Sequence, residues 1–214
     1  MVARKRFLLK ACLLIPVFAI VTTGCKKEAT PQDVSVALQK AIQNSDASAV
    51  ARFVSEEEVQ RLGVKREQLA QFFDHELFDK WIAKGDPIRD TDSAHTVTLD
   101  MSLVSKSGDQ EVSLTVASLP GDNGVEVPQL VKLVIWNNAI AIARKEGRPT
   151  DPASRHRIVA SYLAENASRL ESSYGLKGLY YDDEGSVVTW SNIQKRYIEW
   201  ADRVDARTKA GGGR

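Results

Sequence analysis

Cysteine is scarce in this sequence, and its scarcity excludes several kinds of stabilisation and chemistry. The 214 residues contain two cysteines, Cys12 inside an N-terminal apolar segment and Cys25 directly after that segment. If the segment is removed as a signal peptide and Cys25 is modified, no thiol is left for a disulfide, a thiolate metal site or a nucleophile. The 190 residues after position 24 must then be stabilised by their core, and this length suffices for one sizeable domain or two small ones.

A surplus of basic charge is also missing. The formal net charge is +1, and the loss of residues 1–24 removes four basic and no acidic residues, which changes it to −3. A domain that binds nucleic acid through its phosphates needs a basic stripe or patch. We therefore expect no nucleic acid among the partners.

The sequence lacks the short motifs that mark many enzymes. It contains no GxSxG, no HExxH, no glycine-rich phosphate loop and no dinucleotide fingerprint, which are patterns that identify hydrolases, metallopeptidases and nucleotide-binding enzymes. Acidic residues are numerous, so the sequence neither excludes nor supports a catalytic pair of carboxylates. On these grounds we predict no cofactor, no metal and no catalytic residue.

The N-terminal apolar run is too short to span a membrane. It covers the 11 residues 11–21 and follows a basic head formed by Arg4, Lys5, Arg6 and Lys10. A spanning helix needs ~20 apolar residues to cross ~30 Å of hydrocarbon. The pattern therefore predicts a signal peptide over residues 1–24 rather than a transmembrane helix.

The end of this segment resembles the lipobox of bacterial lipoproteins. Thr22, Thr23 and Gly24 place small side chains before Cys25, although the family usually has Leu where this sequence has Thr22. The resemblance implies cleavage between Gly24 and Cys25, a diacylglycerol on the Cys25 thiol and an acyl chain, such as palmitate, on the new amino group. These chains would hold the protein on a membrane of the bacterial cell envelope, outside the cytoplasm, with residues 25–32 as a tether. The alternative is an ordinary secretory signal with an incidental cysteine.

Residues 33–83 predict three helices. Apolar residues recur at helical spacing after Asp33, which can cap a first helix, and after Asp46, which can cap a second. A longer helix is predicted from about Lys65 to Ala83, ended by the glycine at 85 and the proline at 87. Its broad apolar face, which we expect to pack in the core, consists of Leu69, Phe72, Phe73, Leu77, Trp81 and Ile82.

The following residues change to the alternation that is typical of strands. Apolar and polar residues alternate over 96–103 and again over 112–116, on either side of turn residues at 106–109. This pattern predicts an antiparallel hairpin with one buried face. A second turn at 119–124 leads to a predicted third strand at 125–127.

Residues 128–146 allow two interpretations. They can form a helix that begins at Pro128 and ends before Gly147, or a hairpin that turns at Asn137 and Asn138. We favour the helix, because the Lys-Glu-Gly-Arg-Pro sequence at its end is typical of a helix C-terminus.

The remaining chain predicts a helix, a hairpin and a final helix. Asp151 or the threonine before it can cap the first helix, and Gly175 can end it. Residues 176–189 form two short extended pieces around a turn, and Ser191 can cap the last helix. The tail at 209–214 contains three glycines and is predicted to be disordered.

Together these elements predict an α+β fold, with N-terminal helices packed on a small antiparallel sheet over 33–127 and a mainly helical part over 128–208. The order of elements in 33–127 resembles the cone-shaped fold of the nuclear transport factor two superfamily. The resemblance implies that a curved sheet and the helices enclose a pocket, which members use for catalysis, binding or assembly. It rests on element order alone, and a helix at 128–146 leaves fewer strands than that fold has.

His75 and Asp79 are the first candidates for a metal or acid–base site. They stand four residues apart, so a helix would place them on one face, with Asp74 and Glu76 beside them. We favour the alternative that these residues form a solvated charged face.

The other candidates have simpler interpretations. His95 stands near Asp90 and Asp92 at the start of a strand, and His156 lies between two arginines in a helix. We predict that both histidines are surface residues. The acidic run Asp182-Asp183-Glu184-Gly185 could bind calcium but lacks the alternating spacing of a calcium loop, so we interpret it as a hairpin turn.

The C-terminal third is rich in aromatic residues, which are common at interfaces although core packing is their default role: Trp136, Trp190, Trp200, Tyr180, Tyr181 and Tyr197. From these observations we predict a lipid-anchored, non-enzymatic envelope protein that binds a partner protein or a small apolar ligand. The alternative is a lipid-anchored enzyme whose pocket uses carboxylates or His75 as acid–base groups. A structural spacer in the envelope is a third interpretation.

Overall fold

The computed structural model describes residues 29–93, 96–121, 124–181 and 185–211. The predicted signal peptide, with the Gly24–Cys25 cleavage and the Cys25 lipid, lies outside the described residues. So do His95 and residues 182–184 of the acidic run. The predicted α+β class is confirmed, since helices and two antiparallel sheets make up the described chain.

The elements follow one another in an order close to the predicted one. The helices are α1 (Pro31–Gln43), α2 (Ala47–Ala51), α3 (Glu56–Leu62), α4 (Arg66–Phe73), α5 (Leu130–Lys145), α6 (Pro152–Tyr174) and α7 (Trp190–Gly211), and a π-helical turn (Asp74–Phe78) extends α4. The strands are β1 (Trp81–Ser93), β2 (Thr96–Ser105), β3 (Glu111–Gly121), β4 (Gly124–Glu126), β5 (Gly178–Tyr181) and β6 (Ser186–Thr189).

The N-terminal helices begin with side-chain caps. At α1 the Thr30 hydroxyl accepts a hydrogen bond from the Asp33 amide, and the Asp33 carboxylate accepts one from the Thr30 amide, which is a capping box. Asp33 is therefore the third helical residue rather than the cap, and α1 begins inside the predicted tether at 25–32. Asp46 caps α2 as predicted, with its carboxylate 2.8 Å from the Ala49 amide. Helix α3, between Ser55 and Gly63, was not predicted.

The predicted long helix over 65–83 is wrong at its end. Helical structure stops at Phe78, and Trp81 and Ile82 begin strand β1 instead. Strand pairing explains the change, because Trp81 faces Ser105 of β2 in an antiparallel register. The glycine and proline expected to end the helix lie within β1, where the register shifts between Lys84 and Ile88. An edge strand with an irregularity accommodates both residue types.

Strands β1 to β4 form one antiparallel sheet in sequential order. The predicted hairpin is confirmed as β2 and β3, in which Leu99 faces Val116 and Met101 faces Leu114. These four side chains are buried, so the alternation gives one core face, as predicted.

Helix α5 covers the start of β3, because β4 pairs only with the end of that strand, at Leu119–Gly121. Asn137 donates from Nδ2 to the Ser113 carbonyl oxygen at 3.2 Å, and Arg144 donates from Nη1 to the Glu111 carbonyl oxygen at 3.0 Å. The helical interpretation of 128–146 is thus confirmed, and the helix substitutes side chains for a neighbouring strand.

The C-terminal elements join the same core as the N-terminal ones. Asp151 caps α6 and Gly175 ends it in the left-handed conformation, as predicted. β5 and β6 form the expected hairpin, and α7 begins one residue before Ser191. One cluster of buried side chains joins both halves of the chain and includes Leu38, Phe72, Leu103, Leu130, Leu163 and Ile193. The predicted disordered tail is wrong for residues 209–211, which are the last of α7.

Candidate functional site

A buried carboxylate, that of Glu76, lies in the π-helical turn. The residue is 1% exposed, and its oxygens accept hydrogen bonds from Lys80 Nζ at 2.6 Å, from Tyr174 Oη at 3.0 Å and from Arg169 Nη1. Burial alone would raise the pKa of Glu76, but the bonds from Arg169 and Lys80 outweigh burial and lower the pKa to about 2. The group is therefore ionised at neutral pH and joins the π-helical turn to α6.

Asn138 on α5 extends this network to strand β1. Its Nδ2 donates to the Glu76 carbonyl oxygen at 3.0 Å and to Glu76 Oε2 at 3.2 Å, while its Oδ1 accepts from Trp81 Nε1 at 2.8 Å. Asn138 is 3% exposed, so water contributes little to satisfying these groups. The polar atoms of the Asn138 amide and the Trp81 indole are therefore hydrogen-bonded within the protein.

Trp81 and Asn138, but not Glu76, contribute to the floor of an open cleft of ≈ 340 Å³. The cleft lies where the start of β1, the turn between β2 and β3, and the C-terminal half of α5 meet. Trp81 and Asn138 line it together with Ala141 and Ile142, and the Ile142 side chain is 43% exposed. Since the floor's polar atoms are already hydrogen-bonded to each other and to Glu76, the surface offered to a ligand is largely apolar.

Charged residues surround this apolar floor. Lys106 lies 4.0 Å from Asp79, and Lys145 lies 3.2 Å from Asp109. Hydrogen bonds from Ser107 and Ser105, together with Lys145, lower the pKa of Asp109 to about 2. Such exposed pairs contribute little to stability, so they can rearrange when a ligand enters.

The structure brings His75 and Asp79 together as the spacing suggested. His75 Nδ1 lies 2.9 Å from Asp79 Oδ2, and both side chains are more than half exposed. The hydrogen bond raises the pKa of His75 and lowers that of Asp79. Asp79 lines the cleft but His75 does not. Glu76 points into the core, and the described residues contain no group of three His, Cys, Asp or Glu side chains that could hold a metal ion.

His156 lies in an aromatic cluster instead of on the open surface. Its ring stacks on Trp200 with centroids 3.6 Å apart and meets the edges of Trp136 and Tyr197 at 4.9 and 5.5 Å. The ring is half-buried, and burial lowers the pKa of His156. The prediction of a surface histidine is thus only partly right.

The other aromatic residues of the C-terminal third serve separate roles. Trp190 is buried and donates from Nε1 to the Leu176 carbonyl oxygen at 2.8 Å. The Tyr180 hydroxyl bonds Glu57 at 3.0 Å, and Tyr181 lies 3.2 Å from the hydroxyl of Tyr197. Tyr181 is thereby joined to the aromatic cluster of Trp136, Tyr197 and Trp200, whereas Trp190 and Tyr180 pack and hydrogen-bond elsewhere.

Sequence reasoning missed the central part of the site. It treated Glu76 as a surface neighbour of His75 and gave no role to Arg169 or Asn138. One signal was available, because Glu76 falls at helical spacing with Phe72 and Phe73 on an apolar face, and a charge on such a face needs a partner. One charged partner, Lys80, is four positions away, whereas the other, Arg169, is 93 positions away.

No protein-family model matches this chain, and the sequences of characterised proteins contain no significant match. Within the described residues, no helix combines the length and the apolar character needed to cross a bilayer.

Proposed function

We propose that this protein is a non-enzymatic binding module of the bacterial cell envelope, anchored to a membrane through lipid on Cys25, and that the cleft between β1 and α5 binds a small ligand with an apolar body. The cleft carries the proposal, because its floor combines Trp81, Ala141 and Ile142 with polar atoms that are already satisfied. Its volume lies at the lower end of the range for small-molecule sites, ~300 to 1,000 Å³.

The anchor is supported by the lipobox-like residues before Cys25 and by the short distance from Cys25 to α1. Five residues separate Cys25 from Pro31, the first residue of α1. An extended chain covers at most ~3.6 Å per residue, so a lipid on Cys25 would keep the start of α1 within about 22 Å of its attachment point. The resemblance to the nuclear transport factor two superfamily also favours a pocket between sheet and helices.

The enzyme alternative has weaker support. His75 is the natural acid–base candidate, but it does not line the cleft. The His75–Asp79 pair is also largely exposed, whereas acid–base catalysis gains from a site that excludes water. The geometry therefore favours binding over catalysis.

The experiment for the cleft is titration with N-phenylnaphthylamine, a neutral dye that fluoresces in apolar surroundings. The test variant is Ile142→Asp, which places a charge on the floor. The matched control is Ile198→Asp on α7, because Ile142 and Ile198 are 43% and 47% exposed and both lie on helices. We expect dye binding to weaken about tenfold or more in the first variant, since desolvating a carboxylate against an apolar ligand costs more than about 1.4 kcal/mol. Equal binding by both variants would contradict the proposal.

The experiment for the anchor is the intact mass of the protein extracted from membranes, beside that of a Cys25→Ser variant. The proposal requires a chain that begins at Cys25 and carries acyl chains, and a variant that lacks both features. An unmodified chain released into solution would refute the anchor and leave the cleft to be tested separately.

A further inference from the structure

The charges that line the cleft do not cancel. Three lysines, Lys80, Lys106 and Lys145, stand against two aspartates, Asp79 and Asp109. Lys106 and Lys145 each have one of these aspartates within 4.0 Å. The surplus positive charge of the lining is therefore at Lys80.

Glu76 does not remove this surplus. Its one negative charge meets two cations, Lys80 and Arg169, so the group of three keeps one positive charge. Arg169 reaches Glu76 from α6 and does not line the cleft, whereas Lys80 does. The Lys80 side chain is 39% exposed, and an ammonium group has three donors, so Lys80 can bind Glu76 and an anion at the same time.

His75, which lies beside the cleft, can only add positive charge to it. His75 shares Asp79 with Lys106, and protonation of His75 would offset the charge of Asp79. By this count a ligand meets a net charge of +1 when His75 is neutral and +2 when His75 is protonated. A charge next to the apolar floor is also screened less than one in open water.

We infer that the ligand of the cleft is an amphipathic monoanion, with a single carboxylate-like group that meets Lys80 and an apolar body that lies against Trp81 and Ile142. This inference rests on the proposed function, because it names the chemical class of ligand for the same cleft. The other two lysines of the lining are already paired with Asp79 and Asp109, so the cleft offers one uncompensated cation and we expect the ligand to carry one charge.

The test compares two displacing molecules of equal chain length, octanoate and octanol, in competition with bound N-phenylnaphthylamine. The measured quantity is the ratio of their displacement constants. The dye and the hydrocarbon chain contribute equally to both constants, so the ratio reports only the difference between carboxylate and hydroxyl. In Lys80→Met we expect this ratio to shift about fivefold against octanoate. This is the size of effect expected when a partly exposed ion pair, here between Lys80 and the octanoate carboxylate, is lost. Lys80→Arg keeps the charge and should keep the ratio.

A matched control removes a lysine elsewhere. Lys40→Met deletes an exposed lysine of α1, which does not line the cleft, and should leave the ratio unchanged. The wild-type preference for octanoate should also fall as salt is raised, since salt screens exposed charges.

The outcomes separate this inference from the proposed function. If the dye binds in the cleft but the octanoate-to-octanol ratio is the same in wild type, Lys80→Met and Lys40→Met, the monoanion inference is refuted and the apolar cleft stands. If Ile142→Asp leaves dye binding unchanged, the cleft itself is refuted. A Lys80→Arg variant that behaves like Lys80→Met would show that the lysine acts through packing rather than charge, which also overturns the inference.

Discussion

The buried carboxylate of Glu76 gives the sharpest prediction about stability. In the folded protein the pKa of Glu76 is lowered from 4.5 to about 2, so folding favours the ionised form. The difference of about 2.5 pKa units, at 1.36 kcal/mol each, corresponds to about 3 kcal/mol of stability at pH 7. This contribution is complete above the unfolded value of 4.5 and is lost as the pH falls through 4.5 towards 2.

The perturbation is Glu76→Gln, which keeps the shape and removes the charge. We expect the variant to be less stable than wild type by about 3 kcal/mol at pH 7, since Arg169 and Lys80 lose their anion. The partial exposure of both cations limits the loss, because water can solvate them. At pH 3 the difference should fall to about 1.4 kcal/mol, because the unfolded carboxyl is then mostly protonated.

The assay is urea unfolding, monitored by tryptophan fluorescence and repeated at a series of pH values. Glu165→Gln is the matched control, because it makes the same change at an exposed position of α6 and should alter stability by less than about 0.5 kcal/mol. A difference between wild type and Glu76→Gln that stays constant from pH 7 to pH 3 would refute the electrostatic reasoning. Such a result would assign the effect to packing alone.

Two further substitutions test other close contacts. Asn138→Leu should destabilise the protein by about 2 kcal/mol in urea unfolding, because it leaves the buried Trp81 Nε1 and a carbonyl oxygen of the π-helical turn without partners. Gly178→Ala should cost about 2 to 3 kcal/mol and lower the melting temperature, because an added Cβ would lie 2.0 Å from a carbonyl oxygen of β6 and force the hairpin apart.

Each of these substitutions has a control in the same chain. Asn137→Leu removes one solvent-exposed hydrogen bond and should cost less than about 1 kcal/mol. Equal losses at 137 and 138 would contradict the role given to the buried amide. Gly147→Ala meets nothing within 4 Å but has a φ of +70°, so it should cost about 1 kcal/mol from backbone strain alone. A milder effect at Gly178 than at Gly147 would show that the hairpin tolerates the extra carbon.

The parts of the fold that could be predicted are those with a local physical signal. The β2–β3 hairpin follows from strict alternation on both sides of a turn, and α6 follows from Asp151, Pro152 and Gly175 at its ends. The choice of a helix over a hairpin for α5 rests on the residues at its C-terminus, because its apolar residues fit either structure. In each case short-range spacing and backbone preference agree with the tertiary packing.

The parts that could not be predicted depend on long-range contacts. Trp81 and Ile82 continue the helical spacing of Leu77, so only their pairing with β2 shows that they belong to a strand. Lys80 is the one local donor to the Glu76 carboxylate, and the other donors, Asn138, Arg169 and Tyr174, are 62, 93 and 98 positions away. No local pattern carries that information, and the cleft that these residues help to form was therefore missed as well.

The cover that α5 places on β3 limits how copies of this protein could join through the four-stranded sheet. Asn137 and Arg144 occupy carbonyl oxygens that an incoming strand would need, and β4 offers an edge of only three residues. Among the described strands of this sheet, β1 alone presents a long open edge. Two copies that paired through β1 would each use that edge, so the assembly would stop at a two-fold symmetric pair and could not grow into a fibre.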